Sequence, residues 1–233
     1  MQSTSSEQSS LPSPPSLFPC PWLVGEQTAL CAKAQGLVVE YVPETTSTNL
    51  MAKEMAAGPG SAKPFEGGFF PGQNKIYITD NQTAGRGRYD RKWISPPPGT
   101  ALLMSWAWQL DSLPSPQLTE LIGDCLYRAA KSIWPMGRFS VKPPNDLYLA
   151  GKKVAGLLLE NISQGNQNCL IIGLGLNVFA YPHELDTATS LVEGLATGEQ
   201  GGGSSSDGEQ IVTKESWNAF LNSYLKQVPG FFC

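Results

Sequence analysis

Histidine is nearly missing from this chain of 233 residues: His183 is the single one. Mechanisms built on a histidine base, or on several histidine ligands, have little to work with. Cysteine is scarce in a different sense. Cys20, Cys31, Cys125, Cys169 and Cys233 are odd in number and show no C-x-x-C spacing, so neither a disulfide framework nor a zinc site is expected. Free thiols of this kind fit a reducing compartment, and the cytoplasm is the expected location. There is no surplus of positive charge. The formal net charge is -4, whereas a general nucleic-acid binder carries a basic face, so no nucleic-acid partner is expected. No apolar run is long enough to span a bilayer, so no membrane partner is expected either. The segment "MQSTSSEQSSLPSPPSLFPCPW" lacks Lys and Arg, which excludes the usual secretory or transit peptide. Residues 1–21 are read as a disordered Ser/Pro-rich tail. No G-x-x-x-x-G-K-[ST] segment occurs, so any nucleotide chemistry is not of the P-loop kind.

What remains is a hydrophobic content of 41%, enough for a real core. "GLVVEYV" (36–42), "KIYIT" (75–79) and "TALLMSWAW" (100–108) read as strands. "TTSTN" offers capping hydroxyls to a short helix, "LMAKEMAAGPG", closed by Gly58 and Pro59. Leu118, Leu121, Ile122, Cys125, Leu126, Ala129 and Ile133 recur at helical spacing. Ala150-Gly151 and "SQGNQN" (163–168) are turn chemistry between short strands. Residues 199–208 read as a flexible linker, followed by capping-box spacing at Ser206 and Glu209 and a stripe of Trp217, Phe220, Leu221, Tyr224 and Leu225. The fold class is α/β, a mixed β-sheet packed with helices. One domain is expected over 36–228, with the linker inside it.

Four clusters carry chemistry, all at ends of expected strands. In "DNQTAGRGRYDRKW", Gly85 and Gly87 let the backbone approach a ligand, Arg86 and Arg88 can pair with phosphate or carboxylate oxygens, and Trp93 offers a flat face. The alternative is a solvated basic turn. In "VKPPNDLYLAGKKVAG", two prolines stiffen the approach to Asn145 and Asp146, and an Asp so fixed can hold Mg²⁺ or orient a cation. A plain Asn-Asp turn beside a solvated lysine pair, Lys152 and Lys153, accounts for the same residues. "GLGLNV" (173–178) lacks the third glycine of a dinucleotide fingerprint and has no clear helix after it. It is either a strand end crossed by a ligand or a turn. Ser47, Thr48 and Asn49 are foremost helix caps that can still hydrogen-bond a small polar ligand. His183 is placed on the surface or in a turn.

Taken in order, "STN", "QTAGRGR…W", "K-x-P-N-D-L-Y…KK-x-AG" and "G-x-G-x-N-V" resemble the run of motifs in the biotin–protein ligases, over about Tyr41 to Phe179. The resemblance implies the biotin–lipoate ligase catalytic fold, like that of class II aminoacyl-tRNA synthetases. It implies an ATP-dependent enzyme that makes biotinyl-5′-AMP and passes biotin to a lysine of a carboxylase carrier domain. Biotin, ATP and Mg²⁺ are the implied small molecules, and homodimerisation is left open. By this likeness Arg88, Lys153 and Asp146 are the catalytic set, with Asp146 also at the metal. Ser47, Thr48, Asn49, Gln82, Arg86, Gly87, Arg88, Lys153, Gly156 and Gly175 are implied at biotin. Arg86, Arg88, Trp93, Asn145, Asp146 and Asn177 are implied at the nucleotide, Trp93 near the adenine.

The chain departs from that pattern in three places. Pro143 stands where Trp is usual, and Asp90 puts a negative charge among the arginines. The family's small C-terminal β-barrel is expected to be absent after "VPGFFC", leaving apolar surface at Phe231 and Phe232. A lipoate–protein ligase and a truncated, non-catalytic biotin-binding paralogue are the alternatives.

Overall fold

The structure is a computed structural model, and it describes residues 20–57, 74–164, 167–197 and 211–232. Most of the expected tail, the Gly58-Pro59 helix stop, the 199–208 linker and the Ser206–Glu209 pair lie outside these residues.

Seven strands form a mixed sheet in the order β1-β2-β3-β7-β6-β5-β4. They are β1 (Val39–Thr45), β2 (Asn74–Gln82), β3 (Ala101–Leu110), β4 (Phe139–Lys142), β5 (Asp146–Leu149), β6 (Lys152–Gln164) and β7 (Gln167–Asn177). Only β1 and β2 run parallel. The β5–β6 turn is made by Ala150 and Gly151 with φ of 51° and 81°. Two positive φ values in a two-residue loop match the right-handed twist of a hairpin.

Alternation along the strands splits the sheet into two unlike faces. One face turns Ile76, Ile78, Leu102, Met104, Trp106, Leu170, Ile172 and Leu174 into the main core. Helices α1 (Val24–Ala34), α3 (Leu118–Ile133) and α5 (Lys214–Gln227) supply that core's other side. On α3 the buried residues Leu118, Ile122, Cys125, Leu126 and Ala129 make most of the stripe expected from spacing, whereas Leu121, also expected in it, is exposed and Ile133 is partly buried. Burying such a stripe, at roughly 25 cal/mol per Å² of apolar area, is the dominant source of stability. Trp217, Phe220, Leu221, Tyr224 and Leu225 do the same on α5. The α5 cap is Thr213: its hydroxyl accepts from Ser216 N at 3.1 Å, and Ser216 Oγ accepts from Thr213 N at 3.0 Å.

Helix α1 is absent from the sequence expectation, so the packed body reaches further toward the N-terminus than Gly36. Its signal is weak because its first turn has no side-chain cap. The cap comes instead from β2. The buried Asp80 carboxylate lies against the start of α1, where a Cβ on Gly25 would come 2.5 Å from Oδ1. Tyr41 donates its hydroxyl to Oδ2. Negative charge at a helix N-terminus is favourable. Even so, burial pushes the Asp80 carboxyl above the usual range, against the pull of Tyr41 and the Gly25 N–H. A short helix α4 (Leu191–Ala196) was also not foreseen, and it is capped by Ser190. Phe231 and Phe232 are not left exposed. Both pack on the main core, with the Phe232 ring 4.7 Å from that of Trp108.

Candidate active site

The second face of the sheet carries helix α2 (Thr48–Ala57) and a smaller apolar patch of Tyr77, Ala107, Cys169 and Ile171. Beside that patch the register lines up three glycines. Gly156 of β6 pairs with Gly175 of β7, and Gly173 sits one rung further along β7 on the same face. "GLGLNV" is thus the end of a strand and not a turn: β7 runs to Asn177, with Gly173 and Gly175 inside its last stretch. Each leaves bare backbone where another group rests. A Cβ on Gly175 would come 2.6 Å from the Trp93 ring, and one on Gly156 would come 3.1 Å from Lys153 Nζ. A Cβ on Gly173 would collide with Asn49 Oδ1.

Over this strip opens a cavity of about 380 Å³, within the usual range for small-molecule sites. Ser47, Thr48, Asn49, Gln82, Arg86, Gly87, Arg88, Trp93, Asn145, Asp146, Lys153, Gly156 and Gly175 all line it. Asn177 is not brought there. It is buried one rung beyond, donating Nδ2 to Thr189 O at 3.1 Å, so it braces the loop ahead of α4. Arg91 and Lys92, the other two cations of the basic cluster, also line the cavity, as does Lys142, which was not singled out from sequence.

The glycine-arginine segment is a small hairpin. Arg86 and Lys92 form a bridge, Gly87 N donates to Arg91 O at 2.7 Å and Trp93 N to Gly85 O at 3.0 Å. Gly85 is needed at the base, because a Cβ there would lie 2.5 Å from Trp93 O. The tip, Tyr89-Asp90, has φ of 55° and 59°, the left-handed region that ordinary side chains resist. Tyr89 is 81% exposed. Its ring lies 5.1 Å from the Arg88 guanidinium. Asp90 is exposed and lines the opposite side of the hairpin from the cavity over the glycines.

Ser47 stands at the N-cap position of α2, its carbonyl accepting from Met51 N at 3.0 Å, but Thr48 and Asn49 do not serve as helix caps. Thr48 N donates to Gln82 Oε1 at 2.9 Å, and the Thr48 hydroxyl lies 2.7 Å from Ser105 Oγ. Ser105 Oγ in turn lies 2.5 Å from Asn49 Oδ1. These residues tie α2 to the sheet and form an uncharged corner of the cavity. Behind the corner stands Glu160, which sequence reasoning passed over, as it did Ser105. Each is a polar residue interrupting an apolar strand, and that was the available signal. Burial opposes the Glu160 charge, yet hydrogen bonds from Lys53 and Asn49, with the charges of Lys53 and Arg86, outweigh it. The carboxyl is held below its usual range.

Lys153 reaches the cavity because β6 is irregular. Leu147 pairs with Ala155 and Tyr148 with Lys153, leaving Val154 as an extra residue that turns into the core. The bulge re-aims the strand. Lys153 rests over Gly156, and Lys152 points away to solvent, as adjacent strand residues should. Lys153 Nζ meets Asp146 Oδ1 at 2.7 Å. With its carboxylate so engaged, Asp146 is a poor nucleus for a metal site. No group of three acidic, histidine or cysteine side chains that could hold a metal occurs among the described residues. The described residues do not by themselves form a Mg²⁺ cage.

Residues 70–177 match the family described as "Biotin/lipoate A/B protein ligase family". Those residues, slightly under half of the chain, are similar to that family. The match spans the hairpin, the Asn145–Asp146 corner and the glycine strip. Among curated proteins, the bifunctional ligase/repressor BirA of Escherichia coli is 38% identical over 104 residues, covering 43% of this chain and 32% of that protein. The biotin–[acetyl-CoA-carboxylase] ligase of Paracoccus denitrificans is 33% identical over 141 residues, 59% of this chain and 53% of that protein. The chain therefore matches about a third to a half of these relatives' lengths. In solved structures, the biotin protein ligase of Aquifex aeolicus in complex with biotin and ATP is 26% identical, with a TM-score of 0.57 over 84% of this chain and 72% of that one. The Leishmania major enzyme with biotinyl-5-AMP, at 23% identity and TM-score 0.59 over 82% and 73%, shares the fold. The fold shared with these structures is thus a mixed sheet packed with helices, as expected from sequence. No helix among the described residues is long and apolar enough to cross a membrane.

Proposed function

We propose that this chain is a biotin–protein ligase. The observation that carries the proposal is one cavity with two unlike ends over a glycine floor. One end is the uncharged corner of Ser47, Thr48, Asn49 and Gln82. The other is lined by Arg88, Lys142 and Lys153, with Arg86, 3.9 Å from Glu160 behind the corner, between them. A neutral, hydrogen-bonding head group with a carboxylate tail beside a nucleotide suits that division. In the first step a carboxylate oxygen of biotin attacks the α-phosphorus of ATP, the bond to pyrophosphate breaks, and biotinyl-5′-AMP forms. In the second, the amine of a carrier-domain lysine attacks the acyl carbon, AMP leaves, and the amine loses a proton.

Both steps gather charge on phosphate oxygens, and prepositioned cations stabilise such charge most. Arg88 and Arg86, on a hairpin over the cavity, are assigned to the phosphates. Lys153, steadied by Asp146, is assigned to the junction of carboxylate and phosphate. Trp93 over Gly175 makes a flat wall that excludes water, and Asn145 completes the nucleotide end. Asn145 is held by donating Nδ2 to Leu157 O at 2.9 Å. Mg²⁺ is proposed to arrive with the nucleotide, since such ions are bound largely by substrate phosphates and keep several waters. A carboxylase carrier domain is the proposed protein partner, and the cytoplasm the proposed location.

The test is incubation with ATP, biotin and a carrier domain, read by mass spectrometry. Biotin on the carrier lysine is the expected result. Product only with lipoate, or none with either acid, overturns the proposal. In the same assay Arg88→Ala is expected to release adenylate that labels bystander lysines. Labelling confined to the carrier would remove Arg88 from its assigned role.

A further inference from the structure

Glu160 lies mid-strand on β6, opposite Ile171 of β7, on the face that carries the glycine strip. Oε1 accepts from Lys53 Nζ at 2.6 Å and is 3.9 Å from the Arg86 guanidinium, while Oε2 accepts from Asn49 Nδ2 at 2.9 Å. An ionised carboxylate can only accept. Asn49 must therefore turn its NH₂ toward Glu160, where it also reaches Leu158 O at 3.3 Å. That leaves Asn49 Oδ1 toward Ser105, 2.5 Å away. Ser105 has one hydroxyl hydrogen and has to give it to Asn49. The Thr48 hydroxyl, 2.7 Å from Ser105 Oγ, then has to donate in its turn, because two oxygens that close repel without a hydrogen between them. The Thr48 hydroxyl also lies 3.3 Å from Gln82 Oε1, but the closer Ser105 Oγ takes its hydrogen, and Thr48 Oγ1 is left with lone pairs for any further partner. Gln82 Oε1 is already taken by Thr48 N at 2.9 Å, which turns the Gln82 NH₂ away from α2.

We infer that Glu160 is a positioning residue: through Asn49 and Ser105 it fixes the sense of this hydrogen-bond chain, so that the corner offers an acceptor at Thr48 and a donor at Gln82. A head group carrying an N–H donor beside a carbonyl acceptor, as a cyclic urea does, complements that pair. A carboxylic acid with an apolar or disulfide-bearing head does not. The same carboxylate draws Arg86 toward the corner, tying the hairpin to α2 and β6. Lys53 keeps Glu160 ionised despite its burial, so the sense of the chain is the same across the neutral pH range.

The choice of biotin as the probe rests on the proposed function; the chain itself does not. Two measurements separate them. First, the Asn49 side-chain amide signals are followed by NMR in the ligand-free protein. They are expected to shift on Glu160→Gln, because an amide at 160 lets Asn49 turn over. Second, biotin affinity and turnover are measured. Glu160→Gln and Ser105→Ala are each expected to raise the biotin Kd and KM about tenfold, with a much smaller change in kcat at saturating biotin, and the double variant is expected to be little worse than either alone, since both break one chain. Unmoved Asn49 signals, or losses that simply add, overturn the inference. A wild-type protein that binds no biotin while its Asn49 signals still follow Glu160 overturns the biotin reading and leaves the positioning role standing. Should Glu160→Gln fail to fold, Ser105→Ala and Lys53→Met decide. The first breaks the chain and is expected to weaken binding at every pH. The second leaves Glu160 easier to protonate, so its loss of affinity is expected to grow as pH falls; a Lys53→Met loss that does not grow as pH falls overturns the inference.

Discussion

The two faces of the sheet are made by alternate residues of the same strands, yet they do opposite work. On the helical face, Met104, Trp106, Ile172 and Leu174 fill space against α1, α3 and α5. On the other, Ser105, Gly173 and Gly175 leave it free. Each face also holds a partly or fully buried carboxylate away from the Lys153–Asp146 pair. Asp80 serves the start of α1, and Glu160 holds Lys53 and Asn49. Stability and recognition are therefore separated by one step along a strand, and a substitution's effect should depend on which way its side chain points.

The comparison breaks most severely if core and cavity prove coupled. Phe220 is fully buried on α5. Phe220→Ala is expected to cost about 3–5 kcal/mol of stability while leaving ligand affinity at low temperature unchanged; urea melts and calorimetry check both. Next is the lysine pair. Lys153→Ala is expected to lose about 2–4 kcal/mol of transition-state stabilisation in adenylation, by analogy with removing one prepositioned donor. Lys152→Ala should stay within about 0.5 kcal/mol of wild type, as exposed positions do. Pyrophosphate release measures both, and equal losses would contradict the bulge's role.

The two carboxylates sharpen the contrast through pH. Asp80 has a raised carboxyl, so its contribution to stability is complete below its unfolded value of about 4 and is lost as pH rises through its folded value. Glu160 has a lowered one, so its contribution is complete above its unfolded value and is lost as pH falls through its folded value. Melting temperature against pH should lose its decline above about pH 4 in Asp80→Asn, and part of its acid-side decline in Glu160→Gln. Slopes of the same sign would undo the assignment. The smallest effect is expected at the hairpin tip. Asp90→Gly removes a side chain from a φ of 59° and should gain about 0.5–1 kcal/mol, less than the full left-handed penalty because glycine is freer when unfolded. Thermal melts check it.

The helical face was readable from sequence because its signal is periodic. The α3 and α5 stripes and the apolar strands are legible in the residue pattern alone. Of the cavity, the residues in short motifs were readable and the residues that organise them were not. Glu160 and Ser105 are ordinary letters in strands, and they acquire meaning only when the register sets β3, β6 and β7 side by side. Helix α1 was missed because the group that steadies its first turn, Asp80, lies on a strand more than forty residues later in the chain. Asn177 was placed at the nucleotide by its motif, yet it faces the loop at Thr189, one rung past the last glycine. Simple alternation counted back from Gly156 would have aimed Val154 at the cavity, and only the bulge puts Lys153 there.

Trp93 has an optical consequence. The chain has six tryptophans. Trp22, Trp106, Trp108, Trp134 and Trp217 all belong to the main core or pack against it, whereas Trp93 alone lies over the glycine floor. Intrinsic fluorescence therefore carries two separable signals. Quenching or a spectral shift from Trp93 reports what enters the cavity, and the red shift of the other five reports loss of the fold. Trp93→Phe would silence the first and keep the second, so the protein comes with its own binding dye and its own unfolding dye on opposite faces of one sheet.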